Sequence, residues 1–217
     1  MSCAICEKRR EKRFCPAVHG RICPQCCGEQ REVTLDCPSE CVYLQQAREH
    51  EKPRPIEQLN QSALFPKVEI GDKFLYEQEH LLLGLTYALA KSAHADRTIR
   101  DSDLIAALTS LARSYETLAG SGLLYQTPVT NLVHQAIAGE IQKMVKEYRE
   151  AEQKHVGQSR LKDSEVLRAL VFLVRMALVR TPGRPKSRAF VDVLFQQFPE
   201  QQSVIAAPEE GRRVIVP

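Results

Sequence analysis

Eight cysteines lie between Cys3 and Cys41, and none follows. They run Cys3-x2-Cys6-x8-Cys15-x7-Cys23-x2-Cys26-Cys27-x9-Cys37-x3-Cys41. Zinc takes four tetrahedral ligands, and thiolates suit its borderline softness. A Cys-x2-Cys turn folds the backbone back so that both sulfurs reach one ion, and two such turns are present, at Cys3/Cys6 and Cys23/Cys26. Eight cysteines fill two closed four-thiolate sites with none left over. The expected metal ligands are therefore Cys3, Cys6, Cys15, Cys23, Cys26, Cys27, Cys37 and Cys41, holding two Zn2+.

Spacing alone leaves the partition open. An interleaved arrangement places Cys3, Cys6, Cys23 and Cys26 on one ion and Cys15, Cys27, Cys37 and Cys41 on the other. A sequential one takes Cys3, Cys6, Cys15 and Cys23 first. The interleaved form is preferred because it keeps both Cys-x2-Cys turns on one ion. His19 is an alternative ligand, set aside because the cysteine set is already complete. Cys37 and Cys41, four apart with Pro38 between them, are expected at the start of a short helix leading out of the module.

Other uses of cysteine fit less well. Residues 1–13 are charged and have no apolar core, unlike a secretory signal, so a cytoplasmic protein is expected, where disulfides are rare. An iron–sulfur cluster also uses sets of four cysteines. A redox Cys-x-x-Cys pair normally sits on a sheet-and-helix scaffold, and no strand pattern surrounds these cysteines. Closed four-thiolate sites leave no position for a catalytic water. No phosphate-binding glycine loop or nucleophile motif appears, so no enzymatic activity is expected.

Lys8, Arg9, Arg10, Lys12 and Arg13 form a basic run inside the cysteine block. Residues 1–41 hold seven Lys/Arg and six Asp/Glu. With eight thiolates and two Zn2+ the module carries a charge of about −3. The whole chain is only +3, which gives no general field for polyanions. A protein partner is therefore the favoured expectation, with nucleic acid, contacted through residues 8–13, as the alternative.

The remainder of the chain must position this module. It is rich in Leu, Val, Ala, Glu and Gln, with no Trp, a composition that favours helices. Helical periodicity places Leu75, Leu82, Leu85 and Leu89 on a first helix over Lys73–Ala93. Asp101-Ser102-Asp103 opens a second that carries Leu104, Leu108, Leu111, Tyr115 and Leu118 and stops at Gly120 and Gly122. Thr127 as N-cap and Pro128 open a third, with Val133, Ile137, Ile141, Val145 and Tyr148 on one face. A fourth starts at Asp163-Ser164-Glu165. A fifth carries Phe190, Leu194, Phe195 and Phe198 and ends at Pro199. The predicted fold is an all-α helical bundle of about five helices preceded by a small double-zinc module. Its expected parts are a cysteine-rich module at 1–50, a linker at 51–71, the bundle at 72–200 and an irregular tail at 201–217. The most apolar stretch, Val166 to Val179, is broken by Arg168 and Arg175 and is too short to span a bilayer, so no membrane association is expected.

Two motifs in the helices have chemical precedents. Glu77-x2-His80 and Glu152-x2-His155 match the pair used by di-iron carboxylate bundles. In an up-down bundle they fall at opposite ends, which leaves them as solvated surface. Gly183-Arg184-Pro185-Lys186 resembles the core of a minor-groove hook, but Pro182 stands where an arginine is needed, and an interhelical loop is the simpler reading.

The chain resembles a family of bacterial proteins of unknown function that pair an N-terminal cysteine cluster with a helical C-terminal region. The likeness rests on Cys15-Pro16-Ala17, Ile22-Cys23-Pro24-Gln25-Cys26-Cys27-Gly28, Cys37-Pro38-Ser39-Glu40-Cys41-Val42-Tyr43-Leu44 and Ala47-Arg48-Glu49-His50. Tyr115-Glu116-Thr117 and Gly122-Leu123-Leu124-Tyr125 extend it. Where family members carry a Lys-Arg pair after Cys-Cys-Gly, this chain has Gln30-Arg31. The resemblance implies a bacterial cytoplasmic protein and supplies no activity, substrate or partner.

Overall fold

Short-range backbone geometry builds the N-terminal module in three steps. In the computed structural model, which describes residues 1–121 and 131–199, the chain first turns tightly at Cys3–Cys6. The Glu7 amide donates to the Cys3 carbonyl at 2.8 Å, and Glu7 is left-handed at φ 54°. A hairpin follows: β1 (Arg13–Cys15) pairs antiparallel with β2 (Gly20–Ile22), Arg13 opposite Ile22 and Cys15 opposite Gly20. The Ala4 amide donates to the Arg21 carbonyl at 3.0 Å and ties the first turn to the hairpin. Then comes α1 (Pro24–Gln30), with Pro24 in the first helical turn and Cys23 as N-cap. The two strands, three residues each, are too short to show the alternation that marks a strand in sequence.

The helical part comprises α2 (Val42–His50), α3 (Asp72–Glu77), α4 (Glu79–Ala95), α5 (Asp101–Ser121), α6 (Leu132–Val156), α7 (Asp163–Arg180) and α8 (Ala189–Gln197). α5 packs along α7 and α4 along α6. One apolar core runs through them, with Leu81, Leu85, Leu104, Leu108, Ile137, Ile141, Leu170 and Phe190 fully buried. α4 and α6 approach closely at Gly84, where an added Cβ would stand 2.8 Å from Met144 Sδ. The chain is thus mostly helical, with the cysteine cluster at its N-terminus.

Element boundaries differ from the sequence expectation in four places. The first helix is split at Gln78, whose φ −109° and ψ 23° interrupt the helix without a proline or glycine. α2 begins at Val42, with Cys41 extended as its N-cap (φ −65°, ψ 114°), so Cys37 and Cys41 precede the helix rather than share its face. α5 passes through Gly120 to Ser121. α6 starts at Leu132, where Asn131 Oδ1 accepts from the Val133 amide at 2.8 Å. Gly122, Thr127, Pro128 and the tail 201–217 lie outside the described residues.

Residues 51–71 contain two single turns of 3-10 helix, Ile56–Gln58 and Gln61–Leu64. Leu59, Leu64 and Phe65 of this segment are buried. Arg175 of α7 fastens it by donating to the carbonyls of Leu64 (2.9 Å), Phe65 (2.9 Å) and Val68 (2.8 Å). A guanidinium presents five donors in a planar fork, which is why one side chain can satisfy three carbonyls.

The module meets the helices through charge. Glu32, 1 % exposed and left-handed at φ 54°, accepts from Arg48 Nη2 at 2.7 Å and from Arg184 Nη1 at 3.5 Å. Its carbonyl accepts from the Lys186 amide at 2.8 Å. Lys186 Nζ reaches the Thr34 carbonyl at 2.6 Å. Arg48 also pairs with Asp192 of α8, and Ser39 Oγ donates to Asp192 Oδ1 at 2.7 Å. Arg184 pairs with Glu51 at 2.6 Å, and Arg100 with Asp36 at 2.7 Å. Arg184 and Lys186 are therefore occupied by the module, and the Gly183–Lys186 segment is an interhelical turn used for docking.

Candidate metal centre

Turn and helix N-terminus bring four of the eight cysteines together. The sulfurs of Cys3, Cys6, Cys23 and Cys26 all lie within 4.8 Å of one another, and no other such group of three or more ligand atoms exists among the described residues. A tetrahedron with metal–sulfur bonds of about 2.3 Å has edges of about 3.8 Å, so one ion fits this cluster. An iron–sulfur cube interposes its own irons and sulfides and holds its cysteines further apart. The chemistry of four thiolates around a single centre is that of a closed mononuclear site.

Backbone amides supply the electrostatics. Cys3 is inaccessible to solvent and its sulfur accepts from the Cys23 amide at 3.2 Å and the Ile5 amide at 3.5 Å. Burial opposes its ionisation, yet these amides and the neighbouring Cys6 lower its pKa to about 6. Cys23, at the N-cap of α1, accepts from the Cys26 amide at 3.4 Å. That bond lowers its pKa against the effect of burial, and Arg9 assists. Cys26 goes the other way, pushed up to about 12 by burial and by the three sulfurs around it. Four negative charges cannot share such a volume without a cation, and a divalent ion removes the conflict by its own charge.

Two arginines of the basic run face sulfur. Arg9 Nη1 stands 3.7 Å from Cys23 Sγ and 3.9 Å from Cys26 Sγ, and its own pKa is raised chiefly by Cys23. Arg13 Nη1 stands 3.6 Å from Cys27 Sγ, with its guanidinium 4.5 Å from the centre of the Tyr43 ring. Arg31 Nη2 reaches the same sulfur at 3.8 Å. The contacts of Arg9 and Arg13 are legible in sequence only as a run of positive charge, and that of Arg31 carries no such signal.

Of the other four cysteines, Cys15, Cys27 and Cys37 lie in or against the core of the first set, without forming an equally tight group. Cys15 and Cys27 are buried in the same small core as Cys3, Cys23 and Cys26, with Cys37 packed against it. Burial raises the Cys37 thiol, opposed by the Glu32 amide, and the nearby Cys15 and Cys41 raise it further. His19 is outside the described ligand group; it caps the turn between the strands in a left-handed conformation.

The Glu-x2-His pairs carry no ligand cluster. Glu77 pairs with Lys73. Glu152 Oε2 instead closes the turn after α6, accepting from Ser159 Oγ at 3.0 Å and from the amides of Arg160 and Leu161 at 3.0 and 3.1 Å. No described helix is long and apolar enough to cross a membrane. No family model matches the chain, and comparison with curated proteins and with solved structures found no significant match.

Proposed function

We propose that this chain is a zinc-binding protein that acts as a protein-interaction or regulatory module. The observation that carries this reading is the four-sulfur cluster, in which a single ion would have every position filled by thiolate. Such a site organises structure and leaves no coordination position for substrate. Zn2+ is favoured because it suits four thiolates, has no redox chemistry and accepts tetrahedral geometry without strain.

A second Zn2+ belongs on Cys15, Cys27, Cys37 and Cys41. It draws support from the electrostatic influence of Cys15 and of Cys41 on Cys37 and from the burial of Cys15 and Cys27 beside the first cluster. The helical part then serves as the body that meets a partner, joined to the module through Glu32, Arg48 and Arg184. Arg9 and Arg13 face sulfur, while Lys8, Arg9, Arg10 and Lys12 are exposed, so nucleic acid contacted through residues 8–13 is the alternative partner.

The test is partner capture with the full chain as bait, zinc-loaded and chelator-treated, alongside Cys26→Ser. Partners retained by the loaded chain and released on chelation and by the variant are expected. Partners indifferent to both treatments would contradict the role given to the module.

A further inference from the structure

Beside the joint between module and helices lies a cleft of about 220 Å³, room for several water molecules. It is walled by the end of α2 and the residues after it on one side, and by the α7–α8 turn on the other. Of its charged lining, Arg48 is neutralised by Glu32 and Asp192, and Glu51 by Arg184. That leaves Lys52, Arg54 and Arg180, which line the cleft and have no acidic partner among the described residues. Because Arg48 and Arg184 face three carboxylates, Glu32, Glu51 and Asp192, the surroundings of the concavity carry an excess of two positive charges, a local positive field that the chain's net charge does not show.

Arg54 packs closely against the backbone of the α7–α8 turn. Gly183 has φ +76°, and a Cβ at this residue would stand 2.7 Å from Arg54 Nη1. Only glycine adopts this conformation without strain while leaving space for the guanidinium. A half-buried, pre-seated arginine loses less freedom on binding an oxyanion than a fully mobile one.

We propose that this cleft binds the phosphate group of a small molecule. Two arginines and a lysine match a dianion better than a single carboxylate, and a planar guanidinium fits phosphate oxygens in bidentate fashion. The inference stands apart from the metal reading, because none of the eight cysteines lines the cleft.

The experiment is calorimetric titration of the zinc-loaded full chain at constant ionic strength with phenyl phosphate, inorganic phosphate and benzoate. Saturable binding of a phosphate, at least tenfold tighter than benzoate, is expected. It should weaken at least tenfold in Arg54→Gln/Arg180→Gln and stay unchanged in Arg113→Gln, an exposed position on α5. Phenyl phosphate binding more tightly than inorganic phosphate supports a phosphate ester as the ligand. The opposite order supports free phosphate, with the dianion site standing in both cases. Circular dichroism checks that the double variant is folded; if it is not, exposed Lys52→Gln alone should weaken binding severalfold. No saturable heat with either phosphate, or wild-type affinity in the folded variants, overturns the proposal.

Discussion

Replacing Glu32 by alanine tests the joint between module and helices. The carboxylate is 1 % exposed and serves Arg48 at 2.7 Å and Arg184 at 3.5 Å. Removing one member of a fully buried ion pair costs about 3–5 kcal/mol because the other charge is left unpaired. Here the side chains of Arg48 and Arg184 keep 20 % and 28 % of their surface, so water can reach them. Each also keeps a second carboxylate, Asp192 and Glu51 respectively. The loss is therefore expected near 2 kcal/mol, roughly a 30-fold change in the unfolding equilibrium. Backbone strain supplies an internal control. At φ 54° a residue with a Cβ is strained by about 1 kcal/mol or more, and glycine is not. Glu32→Gly should therefore lose only about 1 kcal/mol and be more stable than Glu32→Ala. Urea denaturation followed by far-UV circular dichroism, with zinc in excess, reads both. With a slope near 2 kcal/mol per molar, the alanine variant's midpoint falls by about 1 M. An alanine variant as stable as the parent, or a glycine variant weaker than alanine, would refute the reasoning.

Further expectations follow from other contacts. Arg175→Ala leaves three carbonyls of residues 64–68 without their donor. It should cost about 2–3 kcal/mol and raise amide exchange across 56–68; unchanged exchange there would contradict the clamp. Asp101 is 1 % exposed and accepts from Ser187 Oγ and from the Phe190 and Val191 amides, capping α8 from another helix. Burial raises its pKa, so the folded state binds the proton more tightly than the unfolded chain. Its contribution to stability is present below the unfolded carboxyl value and is lost as pH rises through the folded one. Asp101→Asn, which keeps an acceptor without the charge, should flatten that dependence in thermal melts, while Asp101→Ala should cost about 2 kcal/mol at neutral pH. At pH 7 the metal-free cluster already has Cys3 ionised, with a pKa near 6, whereas Cys26 is protonated, near 12. Binding the first ion should then release fewer than four protons and weaken as pH falls. Calorimetry in buffers of differing ionisation heat counts them, and a release of four at pH 7 would contradict the amide contacts described at Cys3.

Much of the helical fold was legible because periodicity survives in long segments. Leu85 and Leu89 of α4 and Leu104, Leu108 and Leu111 of α5 are buried as that pattern requires, whereas Leu75 and Leu82 are half-buried and Leu81 takes the fully buried place. Boundaries were less legible. Asn131 rather than an earlier threonine–proline signal caps α6, and α3 separates from α4 at Gln78, where its side chain reaches Glu165 at 3.5 Å. Gln78 carries no proline or glycine signal, so local propensity does not register the break. Within the site, the two Cys-x2-Cys turns identified the ligands that come together, because four residues of backbone suffice to bring each pair near one point. Cys37 and Cys41 were placed in a helix because their spacing and Pro38 allow it; the chain stays extended at Cys41 instead. Glu32 carried no signal, since its importance comes from Arg48 and Arg184, both distant in sequence. Likewise, the basic run predicted charge at residues 8–13 but not that Arg9 and Arg13 face sulfur.

The central claim is the metal module, and native mass spectrometry of the zinc-reconstituted chain tests it most directly. Two Zn2+ per chain are expected, with Cys3→Ser/Cys6→Ser reducing the count through the first site and Cys37→Ser/Cys41→Ser through the second. A chain that retains one ion, lost with Cys3 and Cys6 and indifferent to Cys37 and Cys41, would contradict the second site. A chain that retains none would contradict the account as a whole.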